Sequence, residues 1–216
     1  MESVERASDA KIFFDGTTWR ASCKGGHPEG VPVPRPLAYI LRKCLYANGW
    51  FDRTSSRYRN LDYSDKAYRE YYSYNCHRTA LAAQGTFYKN YGDDVSQLAY
   101  EAAYDYRPGV ERDIEKHNTV PCHMEMLEAQ LSRAQPPCAV HIQKDNQQDT
   151  MLKHSFIYLG KDAAGTFICF DKAGVRNEPF RVVSLTKIQE QYAPAHHYVA
   201  YVQPQIPEAD IPTALS

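Results

Sequence analysis

The 216-residue sequence lacks several features that would place it in a specialised class of protein. No stretch approaches the roughly 18 uninterrupted apolar residues of a membrane-spanning helix, and the first residues lack the basic region and apolar run of a secretory signal. The charges nearly cancel, with 25 Lys and Arg against 26 Asp and Glu, so no basic excess points to nucleic acid as a partner. No phosphate-binding glycine loop is present. We therefore expect a cytoplasmic domain, or one exported without a cleavable signal.

Cysteine is present, but not in the spacing of a metal site or a redox motif. The six cysteines are scattered and none forms a CxxC pair; they are Cys23, Cys44, Cys76, Cys122, Cys138 and Cys169. Free thiols are therefore a better interpretation than a disulfide framework. A metal site built from Cys138, His141, Cys169 and His154 is a lesser alternative, because the sequence lacks the close ligand pairs of zinc sites. No cofactor is expected.

The composition is that of a globular protein. Hydrophobic residues make up 43% and charged residues 24%, and the chain is long enough for one sizeable domain. Tyrosine is over-used, with 17 residues in all. A dense group of them lies between Tyr63 and Tyr74. These side chains either fill the edge of a core with their hydroxyls in water, which is the commoner use, or form an aromatic wall beside a binding cleft.

The predicted elements divide the chain into a helical part and a sheet part. Residues 1–35 are rich in turn residues and prolines and are expected to be irregular, apart from a possible short strand at KIFFDG. Helices are predicted at 36–48, 65–73, 76–84, 96–106 and 121–134. We expect a single domain over 36–204, helical to 135 and a sheet from 136, followed by a flexible tail at 205–216.

The last third of the chain has the texture of an antiparallel sheet. The runs CAVHI, HSFIYLG, TFICFD, FRVVSL and HHYVAYV are rich in Val, Ile, Phe and Tyr and are separated by polar turns. One helical turn is predicted at KIQEQY, before the last strand. Helices followed by a run of strands indicate the α+β class, with an N-terminal helical region packed on a C-terminal antiparallel sheet.

The segment YNCHRTALAAQG contains the first candidate catalytic residue. Asn75 is expected to cap a helix that begins at Cys76 and ends at Gly85. Unpaired N–H groups and the helix dipole favour a thiolate in the first turn, and the Cys76 N–H can donate to an oxyanion. The competing interpretation of Cys76 is a small buried residue. Cys122, which precedes His123 in the first turn of the predicted helix 121–134, is a second candidate nucleophile.

A predicted hairpin brings a histidine to a carboxylate. If the loop between HSFIYLG and TFICFD spans residues 160–165, Leu159 faces Thr166 and His154 lies directly opposite Asp171, with Cβ atoms about 5 Å apart. An imidazole and a carboxylate at that distance can form a hydrogen bond that supports the imidazolium. A slip of one residue would send the two to opposite faces. The competing interpretations are a structural histidine, and an aspartate that starts the turn DKAG.

The order of Cys76 in YNCHRTALA, His154 in KHSFIYLG and Asp171 in FICFDKAG resembles the papain-like cysteine peptidase superfamily in its broad sense. That group includes bacteriocin-processing peptidases, bacterial effector proteases, transglutaminase-like proteins and cell-wall amidases. The resemblance covers residues 70–203. It implies a papain-like fold in which Cys76 is the nucleophile, His154 the general base and then acid, and Asp171 the residue that orients the imidazole.

The resemblance also implies an oxyanion donor, often a glutamine shortly before the cysteine. No glutamine stands in YREYYSYNC, so this chain departs from the pattern. Asn75, the hydroxyl of Tyr72 or Tyr74, and Gln84 are the candidates to replace it.

The expected function is hydrolysis of an amide bond in a peptide or protein through a thioester intermediate. A thiol acyltransferase, a transglutaminase-like enzyme or a deamidase would use the same three residues, and a non-catalytic interaction module on the same fold is the alternative from another class. By analogy, the size of the chain fits a bacterial effector. The sequence does not fix an oligomeric state.

Overall fold

The structure of the protein, a computed structural model, describes residues 11–51, 76–84, 120–145, 152–172 and 179–202. They form a three-stranded and a six-stranded antiparallel sheet with a few helices, consistent with the α+β class. The strands are β1 (Lys11–Phe14), β2 (Trp19–Ser22), β3 (Val31–Val33), β4 (Val120–His123), β5 (Cys138–Lys144), β6 (Leu152–Lys161), β7 (Phe167–Lys172), β8 (Phe180–Ser184) and β9 (Tyr198–Val202). The α-helices are α1 (Arg35–Phe51), α2 (Cys76–Gln84), α3 (Leu127–Leu131) and α4 (Leu185–Gln189).

Strand β1 confirms the short strand expected at KIFFDG, but the rest of the segment expected to be irregular contains two further strands, which complete a small sheet. Strands β1, β2 and β3 pair in that order, and the first turn is closed by Asp15, which accepts 2.8 Å hydrogen bonds from the N–H groups of Thr17 and Thr18. The prolines had argued against regular structure. Pro32 nevertheless lies in β3, an edge strand that pairs only with β2, and a residue without an N–H is tolerated on an edge.

Helix α1 confirms the helix predicted at 36–48, and it buries one apolar face that includes Leu37, Leu41 and Cys44. It continues through Asn48 and Gly49, where the sequence had predicted its end. The side chain of Asn48 donates to the carbonyl of Phe180 at 2.6 Å and accepts from its N–H at 2.7 Å. Asn48 therefore fastens the helix to β8 instead of ending it.

The helix predicted at 121–134 is wrong in its first part. Val120–His123 is strand β4, which pairs with β9 at the edge of the large sheet, so that Pro121 again occupies an edge position. A 3₁₀ turn over Met124–Met126 and the short helix α3 follow. Cys122 is consequently not in the first turn of a helix, and burial raises the pKa of its thiol. The helix-start argument for a second nucleophile no longer holds.

The large sheet has the strand order β4-β9-β5-β6-β7-β8, and it contains all five strands predicted from the sequence. The predicted helical turn before the last strand is α4, followed by a 3₁₀ turn over Glu190–Tyr192. The helices predicted at 65–73 and 96–106, the Asn75 cap and the tail lie outside the described residues.

Two hydrophobic cores lie on the two faces of the large sheet. Alternate residues of β6 belong to different cores, with Ile157 and Leu159 in one and Phe156 and Tyr158 in the other. Helix α2 packs over β5, β6 and β7 on the first of these faces. Its buried positions there include alanines, whose small side chains let the helix backbone approach the strands closely.

The small sheet lies against the large one at a bulge in β6. The pairing of β6 with β7 shifts between Tyr158 and Gly160, and Gly160 has a φ of 141°. A Cβ atom on Gly160 would come within 3.3 Å of the side chain of Val31 in β3. The absence of a side chain at Gly160 therefore permits both the bulge and the contact between the sheets.

Candidate active site

Cys76 is the first residue of α2, and its side chain meets two histidines. It forms side-chain hydrogen bonds with His154 of β6 and with His77, the next residue of the helix. Cys76 is buried, with 8% of its surface exposed. Small apolar neighbours alone would make this an inert core thiol, but two imidazoles give it the surroundings of a thiolate.

His154 and Asp171 are in contact, although not by the register expected from the sequence. The Nε2 atom of His154 lies 3.1 Å from Oδ2 of Asp171, and both side chains are almost fully buried. The hairpin pairs Ile157 with Phe170, so one step further Asp171 faces Phe156 and not His154. The predicted pairing is therefore wrong by two residues. Because side chains alternate with a period of two, this slip keeps both groups on one face as diagonal neighbours.

An irregularity in β6 immediately precedes His154. Ile142 of β5 pairs with His154, but Gln143 pairs with Leu152, so Lys153 is the extra residue of a β-bulge. Bulges bend a strand and change the direction of the adjacent side chain, and they are frequent beside active sites. The ring of His154 is then held by stacking on Phe156 and on Tyr192, with centroids 6.0 and 5.6 Å apart.

Asp171 is also bound by an arginine that the sequence did not reveal. Arg181 lies directly opposite Asp171 on β8, where its Nε donates to Oδ1 at 2.6 Å and its Nη2 to Oδ2 at 2.9 Å. Burial raises the pKa of the Asp171 carboxyl, but the hydrogen bonds from Arg181 and His154 outweigh it and leave the pKa below the usual 3.8. Asp171 is therefore a fixed negative charge beside the imidazole.

Burial and hydrogen bonding also oppose each other in setting the pKa values of Cys76 and His154. Burial disfavours the Cys76 thiolate, yet the hydrogen bonds from His154 and His77 lower the pKa of the thiol well below 9.0. Burial also disfavours the His154 imidazolium, yet Asp171 and Cys76 raise its pKa from 6.5 to about 9. Both shifts favour a thiolate on Cys76 beside an imidazolium on His154. Since Nε2 of His154 is bonded to Asp171, Nδ1 remains to face the sulfur.

The other described cysteines have the opposite character. Burial raises the pKa of Cys44 and of Cys138 to about 12 and places that of Cys169 well above 9.0. Among the residues that the structure describes, no three His, Cys, Asp or Glu side chains converge in a way that could hold a metal ion. The alternative site of Cys138, His141, Cys169 and His154 is therefore not assembled.

A second polar cluster touches Cys76 through His77. His77 Nδ1 and His141 Nδ1 each lie 2.7 Å from Oγ of Ser155, and all three residues are buried. Sequence reasoning missed this cluster. The alternation along β6 was its only signal, since Ser155 follows His154 and must point to the other face.

The candidate oxyanion donors are only partly located. Asn75, Tyr74 and Tyr72 lie outside the described residues. Gln84 is the last residue of α2, eight residues after Cys76, which places the two about 12 Å apart along the helix axis. The structure therefore does not bring Gln84 to the thiol, whereas the N–H of Cys76 lies in the first helical turn, where N–H groups lack a helical acceptor.

Compared with protein-family models, with curated proteins and with solved structures, the chain matches none of them. In the described part of the chain, no helix is long and apolar enough to cross a membrane.

Proposed function

We propose that the protein is a cysteine-dependent hydrolase of amide bonds with a papain-like arrangement of Cys76, His154 and Asp171. The observation that carries the proposal is the continuous hydrogen-bonded order of these three side chains, from the start of a helix to two adjacent strands. A helix-start thiolate, an imidazolium and a fixed carboxylate are the groups that acyl transfer through a thioester requires. Arg181 belongs to the same assembly, because it holds the carboxylate in place.

The reaction follows from the charges of the resting pair. The Cys76 thiolate attacks the carbonyl carbon of the amide, and the His154 imidazolium gives its proton to the nitrogen as the carbon–nitrogen bond breaks. An amine leaves and a thioester remains on the sulfur. Neutral His154 then takes a proton from water, whose oxygen attacks the thioester. The carbon–sulfur bond breaks, a carboxylic acid is released, and the thiolate–imidazolium pair is restored.

A second candidate function is a non-catalytic binding domain, and the burial of the site favours it. Cys76 is 8% exposed and His154 is 1% exposed, so a buried polar network would also account for the contacts.

Transfer of the acyl group to an amine instead of water needs no further residue on the protein. The first distinction to make is therefore whether Cys76 reacts as a thiolate.

The test compares Cys76 with Cys122 in alkylation by iodoacetamide at slightly acidic pH, each thiol being followed by mass spectrometry. Cys122 is the more exposed of the two, but its pKa is raised, whereas that of Cys76 is lowered. A catalytic site predicts that Cys76 is labelled at least tenfold faster than Cys122, roughly the ratio given by one pKa unit. The advantage should disappear in His154→Ala and persist in His123→Ala, which alters a histidine exposed on the edge strand.

Faster labelling of Cys122 would refute the proposed enzyme, since exposure alone would then control reactivity. If Cys76 reacts first, a library of peptides with a thiol-reactive group, compared between the wild type and Cys76→Ala, identifies the substrate class.

A further inference from the structure

Two consecutive residues of α2 face two consecutive residues of β6. Cys76 is bonded to His154, and His77 is bonded to Ser155. Since neighbours in a strand point to opposite faces, the two histidines that touch Cys76 belong to different environments. His154 stacks on aromatic rings and meets Asp171, whereas His77 meets a neutral hydroxyl and, beyond it, His141.

The hydroxyl of Ser155 links the protonation of the two histidines beside it. It has one hydrogen to donate, and an imidazole Nδ1 lies 2.7 Å away on each side. The oxygen can accept as well as donate, so at least one of the two Nδ1 atoms must carry a hydrogen and donate it to Ser155. His141 lies directly opposite Ser155 on β5, so the strand pairing fixes this geometry.

The thiolate determines the direction of the chain. A sulfur anion accepts hydrogen bonds, so His77 must present an N–H to it. With Nδ1 of His77 bonded to Ser155, Nε2 is the nitrogen that remains for the sulfur. When the His77 ring carries its hydrogen at Nε2 alone, Nδ1 accepts from the Ser155 hydroxyl, which in turn accepts from Nδ1–H of His141. Every hydrogen then points towards Cys76.

We propose that His77 is a positioning residue that gives the Cys76 thiolate a second hydrogen bond, and that Ser155 and His141 hold its ring in the tautomer this requires. The inference rests on the proposed function, because it takes Cys76 as the nucleophile. The two histidines then divide the work. His154 gives up its proton to the departing amine, while His77 keeps its own and receives the sulfur again as thiolate when the thioester is hydrolysed.

A matched pair of variants separates the two ends of the His77 ring. The amide nitrogen of Gln in His77→Gln can occupy the place of Nε2 and donate to the sulfur. The shorter Asn in His77→Asn can occupy only the place of Nδ1, beside Ser155. Ser155→Ala removes the hydroxyl without adding volume. Ser132→Ala is the control, because the Ser132 hydroxyl is exposed and bonds to the carbonyl of Glu128.

The measurement is the pH at which the rate of Cys76 alkylation falls to half on acidification. Besides His77 itself, whose imidazole both substitutions at position 77 remove, the titratable neighbours of the sulfur are His154 and Tyr192, and these are the same in every variant. Losing a hydrogen bond to an anion should raise this midpoint by about one pH unit in Ser155→Ala and His77→Asn. His77→Gln should stay close to the wild type, as should Ser132→Ala.

The outcomes distinguish this inference from the proposed function. A wild type whose Cys76 reacts with the midpoint of an ordinary thiol refutes the enzyme and this inference together. A low midpoint that His77→Asn and Ser155→Ala leave unchanged refutes only the role of His77. If Ser155→Ala unfolds, the comparison of His77→Gln with His77→Asn still tests the role of His77. Both variants remove the imidazole, but only Gln can donate from the place of Nε2. Equal midpoints in those two would overturn the inference.

Discussion

Asp171 is held by two cations, and they contribute differently. His154 approaches one oxygen, while Arg181 spans both from the neighbouring strand. The arginine is partly in solvent, with 26% of its side chain exposed, whereas the carboxylate is fully buried. Arg181 therefore connects a buried charge to the surface and keeps the carboxylate ionised whether or not His154 carries its proton.

Replacing Arg181 tests this role. Arg181→Met should lower the free energy of unfolding at neutral pH by about 2 kcal/mol, because two charged hydrogen bonds to a buried carboxylate are lost. Urea unfolding followed by circular dichroism measures the change.

The matched control is Lys187→Met, which breaks the exposed ion pair with Glu190. An exposed pair contributes little, and the change should stay within about 0.5 kcal/mol. Equal losses in the two variants would show that burial of Asp171 does not amplify the arginine contact.

The sequence allowed His154 and Asp171 to be placed on one face, but it did not reveal Arg181. The hairpin of β6 and β7 has a short loop, and an error of two residues in its register preserved the face. Between β7 and β8 the length of the turn is not marked by a glycine or asparagine pair, so no register could be assigned. The partnership of Asp171 with Arg181 exists only through that register.

Among the secondary-structure elements, β6 positions both the chemistry and the small sheet. It carries the bulge at Lys153 before His154 and the bulge at Gly160 under Val31. The first lies one residue from the start of β6 and the second near its end, so the pairing of the strand is irregular at two defined points. The position of β3 is set by the second of them.

The contact at Gly160 predicts a specific loss of stability. Gly160→Ala adds a Cβ atom within 3.3 Å of Val31 and forces alanine to a φ of 141°. We expect a loss of about 3 kcal/mol from backbone strain and overpacking together. Thermal or urea unfolding measures it.

Gly16→Ala separates the two causes, because Gly16 also has a positive φ, of 100°, but no atom lies within 4 Å of an added Cβ. It should lose only the strain, about 1–2 kcal/mol. If Gly16→Ala were as costly as Gly160→Ala, the approach of Val31 would not matter.

Five strands of the large sheet were predictable, including β8 at one edge, but two edge strands that contain proline were not. Five strands stood out through their β-branched and aromatic runs, whereas β3 and β4 contain Pro32 and Pro121 and resembled a loop and a helix start. Proline excludes a central strand but not an edge strand, and an edge is a property of the assembled sheet. Local sequence therefore could not distinguish these cases.

For the whole molecule, the ionised pair makes stability depend on pH in an unusual way. In the unfolded chain, Cys76 and His154 together carry one titrating proton between pH 6.5 and 9.0, and it is on the thiol. Folded, they also hold one proton, on the imidazole. The pair therefore does not make the free energy of unfolding change with pH in this range, since that change follows the difference in bound protons between the unfolded and the folded protein. Below pH 6.5 the unfolded histidine gains a proton, and because the pKa of folded Cys76 is lowered, stability falls with pH until the folded thiolate is itself protonated.

This prediction is tested by the difference in unfolding free energy between the wild type and the double variant Cys76→Ala/His154→Ala. Other titrating groups cancel in the difference. It should be level from pH 6.5 to about 9 and fall on further acidification, with a slope of at most about 1.4 kcal/mol per pH unit. A difference that declines steadily from pH 6.5 to 9 would instead show an imidazolium facing a neutral thiol.

The α+β class could be predicted from the order of helices and strands. The geometry of the site, by contrast, depends on contacts between distant segments of the chain. Cys76 and His154 were identified by their positions in a helix and a strand, but their hydrogen bond needs α2 to pack across β6. The roles of His77 and His141 required the same packing. No local sequence pattern predicts this packing of α2 across β6, because loop lengths and the shape of the core determine how elements dock.

The matching of two adjacent residues in α2 with two in β6 constrains how this chain can vary. The contacts of Cys76 with His154 and of His77 with Ser155 require each pair of residues to stay adjacent, whereas the number of residues between the two pairs can vary as long as α2 still docks on β6. An insertion inside either dipeptide would break both contacts at once. Distant relatives should therefore be recognisable by a Cys-His pair opening a helix and a His-Ser pair in a later strand, at variable spacing. Such a signature can be sought even where overall similarity has been lost.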